Sequence, residues 1–354
     1  MKKRAVVLLL AGLLAMGSLS GCGKIKDSDV VVTVNDTEIT ADVANFLARY
    51  TQAQYETYYA GYMGDDMWTG EGEDGETYED TVKDSILESL ENMYLMEAHM
   101  KDYDLSISDE EKTSIKEAAS QFDSANGLSE KEKVSGSTDT VERVLELLTI
   151  QKKVQDAVEA GADTEVSDEE AAQKKMQYVL FSFSTTDEEG NSVDLTDEEK
   201  EALKATADSF AAGAAGAADF AAYAAEQGQT SQDATFDADS VTLPSQLVEA
   251  ADALGEGETT GVVEGDNGYY VARVTSLLDR EATDAKKQEI ISERKQDLLN
   301  DTLEGWRKES DIKVNKRVWK KVDFTTLTVT MKQEESDPYA DEVQTDDQAD
   351  ETQE

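Results

Sequence analysis

One cysteine, Cys22, stands in the whole chain, and it follows a short basic and apolar leader. A chain with one thiol closes no internal disulfide, so its fold must be held by buried apolar surface. Its length allows two or three domains. The leader consists of Lys2, Lys3 and Arg4, an apolar run from Ala5 to Met16, and then Gly17 and Ser18. A charged head, a short apolar middle and a small-residue exit mark residues 1–21 as an export signal. The apolar run is too short to span a bilayer comfortably, which takes about 20 residues.

The run Leu19-Ser20-Gly21-Cys22 resembles the bacterial lipoprotein box, in which the cysteine becomes the lipid-bearing first residue of the mature chain. That resemblance implies lipidation of Cys22, a cell-membrane location on the extracytoplasmic face, and a polar spacer over residues 22–29. The alternatives are an ordinary signal peptide with a chance cysteine, or an uncleaved anchor. Without residues 1–21 the chain keeps 30 of its 33 basic residues and all 78 acidic ones, a net charge near −48. No nucleic acid is expected as a partner, because phosphates need basic surface. One histidine and one cysteine make no His/Cys metal cluster, and no acidic loop has EF-hand spacing, so neither a metal nor a cofactor is expected.

Val30 to Val34 is almost all β-branched and reads as a strand, with a turn at Asn35-Asp36. Thr40 is placed to cap a helix starting near Ala41, with Val43, Phe46, Leu47 and Tyr50 on its apolar side. From Tyr55 to Trp68 the chain is rich in Tyr, Met and Trp. Tyr55, Tyr59 and Trp68 are candidates for binding extended polypeptide; the alternative is that they pack one helix into a core. Val82, Ile86, Leu90 and Met93 recur at helical spacing. His99, at the end of that helix, reads as a surface or capping residue. Ser108-Asp109-Glu110-Glu111 opens another helix, Ser124 to Asp139 is a loop or two weak short elements, and Val141 to Val158 is a further helix.

After a linker at Gly161 to Thr164 the pattern changes. Ser167-Asp168-Glu169-Glu170 reads as a helix start, Met176 to Phe183 as a strand, and Thr196-Asp197-Glu198-Glu199 as the cap of an alanine-dense helix. Thr235 to Leu243 is a strand candidate, and Pro244 opens a helix from Gln246 to Leu254. Val262-Val263 and Tyr269 to Val274 are strands joined by a tight turn at Asp266-Asn267-Gly268. A long helix from Thr283 to about Glu309 precedes Ile312, Val314 and the strand-like Val318 to Phe324. Pairing that end with Val30 to Val34 makes the middle domain an insertion. The fold expected is α+β: a mostly helical domain built from residues 30–164 and 279–325, with antiparallel sheet and helices inserted at 165–278. Residues 326–354 are acidic with little to bury and read as a disordered tail.

Val34-Asn35-Asp36-Thr37-Glu38-Ile39-Thr40 resembles the opening of bacterial extracytoplasmic foldases of the PrsA and SurA type. Gly257 through Gly268-Tyr269-Tyr270-Val271 resembles the end of a parvulin (PpiC-type) prolyl isomerase domain. The resemblance implies unfolded or newly exported polypeptides as partners, a helical chaperone domain, and cis/trans isomerisation at proline by binding the twisted amide. The family's two strand histidines are replaced by Tyr178 and Tyr270. Its proline-pocket Met and Phe match Leu243 and Leu247, and the Gly-Gly-x-Leu-Gly run before them is missing. The four residues form a candidate groove, or pack across adjacent strands in a closed core. The reading is a membrane-anchored foldase or chaperone with weak or absent isomerase activity. An active isomerase with a histidine-free site is the alternative. A solute-binding lipoprotein, as a third class, needs a two-lobed α/β layout that the strand-poor N-terminal half does not suggest.

Overall fold

A computed structural model of the chain describes residues 25–332, apart from 65, 73, 74 and 188. The leader, Cys22 and residues 333–354 lie outside the described residues. Two compact units result: the described residues up to Gly161 and from Leu298 onward form the first, and Ala162–Asp297 the second. No helix among the described residues is long and apolar enough to cross a membrane.

The first unit opens with a hairpin of β1 (Val30–Val34) and β2 (Thr37–Thr40), closed by Asn35 at a φ of 53°. Asn visits that left-handed conformation more readily than most residues, and here its side-chain amide donates to Ser310 Oγ at 3.3 Å and accepts from the Asp311 amide at 2.8 Å. The strand β2 is an addition to the sequence reading, and its Ile39 is fully buried. Six helices follow: α1 (Ala41–Tyr58), α2 (Ala60–Met63), α3 (Tyr78–His99), α4 (Asp109–Ala125), α5 (Leu128–Lys133) and α6 (Thr138–Glu159). Reciprocal capping boxes start α3 at Thr77/Asp80 and α4 at Ser108/Glu111, satisfying amides that have no partner inside the helix. Thr40 sits at the cap position of α1, but its hydroxyl donates to Asp42 Oδ1 at 2.5 Å instead of accepting from the helix.

In the second unit β3 (Lys174–Ser182), β6 (Ser231–Phe236), β7 (Val263–Gly265) and β8 (Gly268–Ser276) form an antiparallel sheet of order β6-β3-β8-β7. A separate hairpin, β4 (Ser184–Thr186) with β5 (Ser192–Asp194), occupies the polar excursion. Between strands run α7 (Asp197–Ala214), α8 (Phe220–Glu226) and α9 (Ser245–Asp252). The period of two splits the sheet's side chains. Val179, Phe181, Tyr269 and Val271 pack with Phe210 and Phe220 of α7 and α8. Met176, Tyr270, Ala272 and Val274 pack with Leu247, Val248 and Ala251 of α9. Both faces are therefore covered, which is why β8 is one buried run from Gly268 to Val274.

The chain then enters α10 (Arg280–Glu309), β9 (Ile312–Val314) and α11 (Lys316–Trp319). β9 pairs antiparallel with β1, so the sheet-bearing unit is inserted in a mostly helical one and the α+β reading holds. The division between units falls inside α10. Upstream of it, Asp168 bonds Lys287 at 2.5 Å and Arg280 at 2.8 Å; downstream, Leu299 and Trp306 pack with Met96, Ile150 and Val154.

Several local expectations are corrected. Ser167 to Glu170 makes one turn and no helix, because Lys174 already begins β3. The strand placed at Thr235 to Leu243 is β6, ending at Phe236, and the strand-like Val318 to Phe324 begins as α11, whose Val318 amide bonds Asn315 Oδ1. The tail expected to be disordered from 326 is packed as far as 332. Val329 is fully buried, and the Val329 and Met331 amides donate to Glu56 Oε2 (2.6 Å) and Thr57 Oγ1 (2.7 Å). Leu327, Val329 and Met331 alternate with polar residues, the pattern of an extended segment with one face buried.

Candidate functional site

On the α9 side of the sheet, β3 and β8 bring Tyr178 and Tyr270 together with ring centroids 6.0 Å apart and planes at 38°. They are diagonal neighbours, not a direct pair: Tyr178 stands opposite Ala272, and Tyr270 opposite Leu180. Leu247 and Leu243 belong to the same cluster. All four sequence candidates thus share one face, but not as an open groove. Leu247 and Tyr270 are 0% and 4% exposed, while Tyr178 and Leu243 are half-buried.

Both hydroxyls are bonded to neighbouring side chains. Tyr178 donates to Gln232 Oε1 at 2.8 Å on β6, and Tyr270 donates to Asn267 Oδ1 at 2.5 Å in the β7–β8 turn. Burial pushes the Tyr270 phenol above its ordinary value of 10.0, against the lowering effect of Asn267, so it remains a protonated donor. A phenol has one proton to donate. Both phenol protons are engaged by neighbouring amide oxygens, where the family resemblance implies imidazoles. Gln232 has no signal in the sequence, since strand pairing brings it in from 54 residues away, and Asn267 is read there only as a turn residue.

The chain's single histidine is engaged elsewhere. His99 Nδ1 bonds Asp102 Oδ2 at 2.6 Å, and its ring stacks on Trp306 at 4.3 Å with planes 3° apart. It joins the end of α3 to the last turns of α10.

The aromatic candidates of the first unit divide between core and surface. Trp68 is 6% exposed; its Nε1 donates to Glu56 Oε1 at 2.9 Å and its ring meets Phe324 at 4.8 Å. Tyr55 is half-buried and bridges Trp68 (5.8 Å), Tyr78 (5.9 Å) and Tyr59 (5.5 Å). The rings offered to solvent are Tyr58 (70% exposed), Tyr59 (51%) and Tyr62 (93%), with Met63 (38%) beside them. Tyr58, Tyr62 and Met63 were not singled out from the sequence. The signal was there in the run Tyr58-Tyr59-Ala60-Gly61-Tyr62-Met63, whose apolar residues are too dense for one helical stripe to bury.

Comparison with known proteins gives one domain-level match. Residues 183–289 match the family profile described as the PPIC-type PPIASE domain. That span takes in Leu243, Leu247 and Tyr270 and begins after Tyr178. No curated protein matches the chain. Among solved structures, it is similar to one reported with the SurA-like chaperones PEB4 and Cj1289 of Campylobacter jejuni, at 14% identity over 80% of this chain and 98% of that one, with a TM-score of 0.28. It is also similar to PrsA of Bacillus cereus, at 18% identity over 72% and 95% and a TM-score of 0.29. Foldase protein PrsA of Streptococcus pneumoniae aligns at 17% identity over 72% and 98%, again with a TM-score of 0.29. At these values the structural likenesses carry no weight for site or activity.

Proposed function

We propose that the chain is an extracytoplasmic foldase or chaperone, anchored through lipid on Cys22, which holds unfolded exported polypeptide. Its parvulin-like domain, residues 165–278, has weak or absent prolyl isomerase activity in this reading. The observation that carries the holding role is the solvent-facing set of Tyr58, Tyr59, Tyr62 and Met63, since contiguous exposed apolar side chains mark interaction surfaces. The match at 183–289 supports a foldase setting for it. The engaged protons of Tyr178 and Tyr270 support the weak-catalysis part of the reading. A prolyl bond must be stabilised in its twisted form, and that needs groups free to interact with it.

The test uses the full chain in two assays. Aggregation of an unfolded client should be suppressed, and protease-coupled turnover of an Ala-Pro peptide should stay near the uncatalysed rate. A rate well above background that disappears in Tyr178→Phe/Tyr270→Phe would overturn the non-catalytic part. Unchanged aggregation would overturn the holding role.

A further inference from the structure

The aromatic ledge of the first unit carries a more specific assignment. Nine large hydrophobic side chains are exposed among the described residues, and four of them fall between Tyr58 and Met63. One ring of the ledge is anchored from beneath: Tyr59 rests on Tyr55, Tyr55 on Trp68, and Trp68 stacks on Tyr78 at 5.8 Å with planes 20° apart. A ring held in this way loses little freedom when a ligand arrives. Beside the ledge lies an open cavity of about 360 Å³ whose apolar lining is Met63, Met67 and Tyr78 and whose acidic lining includes Asp66 and Glu71. Met63 belongs to both, so ledge and cavity form one continuous surface.

Charge selects the occupant. From Tyr50 to Val82 the sequence has nine acidic residues and no lysine or arginine. The cations flanking that stretch are buried and engaged. Arg49 bonds Gln52 and the Asp323 carbonyl; Lys83 bonds the Val322 carbonyl and Glu79. Asp66 and Glu71 are exposed at the cavity rim. Electron-rich phenol faces and carboxylates favour the same ligand charge, because both attract a cation.

We infer that this surface binds extended polypeptide segments in which lysine or arginine alternates with aliphatic or aromatic residues. The apolar side chains enter the cavity against Met63, Met67 and Tyr78, and the cationic groups lie over Tyr59 and Tyr62 beside Asp66 and Glu71. Acidic apolar segments are rejected there. The assignment rests on the holding role proposed above and gives it a sequence preference.

Two labelled peptides test it against the full chain by fluorescence anisotropy, one alternating Leu with Lys and one alternating Leu with Glu. The Lys peptide should bind tighter, and Asp66→Asn/Glu71→Gln should cut its advantage by about fivefold, the size expected for two exposed charge pairs. Tyr59→Ser/Tyr62→Ser should weaken the Lys peptide. Because the whole chain is acidic, Glu110→Gln/Glu117→Gln on the exposed side of α4 is the control and should leave the preference intact. Equal loss in the control, or no loss in the rim variant, would overturn the assignment by making the preference a property of the overall field. If neither peptide binds while client aggregation is still suppressed, the assignment fails and the holding role stands. If the Lys peptide binds as described while clients aggregate freely, the surface stands and the holding role fails.

Discussion

At the scale of single residues, the second unit depends on contacts made where no side chain fits. Gly268 begins β8 with its Cα against β3, and a Cβ there would lie 2.3 Å from the Phe181 carbonyl oxygen and 2.5 Å from Leu180 Cδ1. The backbone oxygen belongs to a paired strand and cannot swing away. Gly268→Ala should therefore destabilise the second unit by about 1–3 kcal/mol, the usual cost of overpacking. Urea unfolding followed by circular dichroism would measure it. The family resemblance placed Tyr178 and Tyr270 together, at the positions of its two strand histidines. It did not reveal that their hydroxyls would be taken, since Gln232 reaches Tyr178 only through the β3–β6 register.

Among elements, the same local signal had two outcomes. Ser108-Asp109-Glu110-Glu111 and Ser167-Asp168-Glu169-Glu170 are identical four-residue helix-start signals. The first succeeds because α4 has Ile115, Ala118, Ala119 and Phe122 to bury along one side. The second runs into β3 after a single turn, and Asp168 is drawn to Arg280 and Lys287. Helix ends are also fixed from afar. Buried Arg273 of β8 donates to the Ala217 carbonyl at 2.8 Å and to the Ala214 carbonyl, and stacks over Phe220. A cation at the end of α7 adds a donor to the Ala214 carbonyl, which also accepts from the Ala217 amide at 3.1 Å, and bonds the Ala217 carbonyl just beyond the helix. Arg273→Met should cost about 1–3 kcal/mol, since the Ala217 carbonyl loses the guanidinium donor and the Ala214 carbonyl keeps only the Ala217 amide. Hydrogen exchange should show earlier opening at the end of α7 than in β3.

For the whole molecule, acid excess and long-range ion pairs set the pH response. Asp168 is held below its ordinary 3.8 by hydrogen bonds from Lys287 and then Arg280. A carboxyl lowered on folding adds stability above its unfolded value, and that stability is lost as pH falls through the folded one. Lys287→Met should thus lower the urea midpoint at pH 7, and the gap from the parent chain should close as pH drops below 3.8. Asp29, lowered chiefly by Lys321, ties the start of the first unit to the segment after α11 and should respond in the same sense when Lys321 is replaced. A gap that persists undiminished at the acid end would show that the loss is one of packing.

The sequence by itself determined the α+β class, the inserted arrangement and the faces of the strands, because periodicity and chain order are local properties that burial then reinforces. Tertiary structure alone decided that Tyr178 and Tyr270 have no proton to spare, that Trp68 is core while Tyr58, Tyr59 and Tyr62 are surface, and that residues 326–332 pack beside α1. The Tyr178 contact to Gln232, the Trp68 contact to Phe324 and the packing of Val329 and Met331 on α1 all join residues far apart in the chain, and such partners exist for a side chain only once the fold has brought them within a few ångströms.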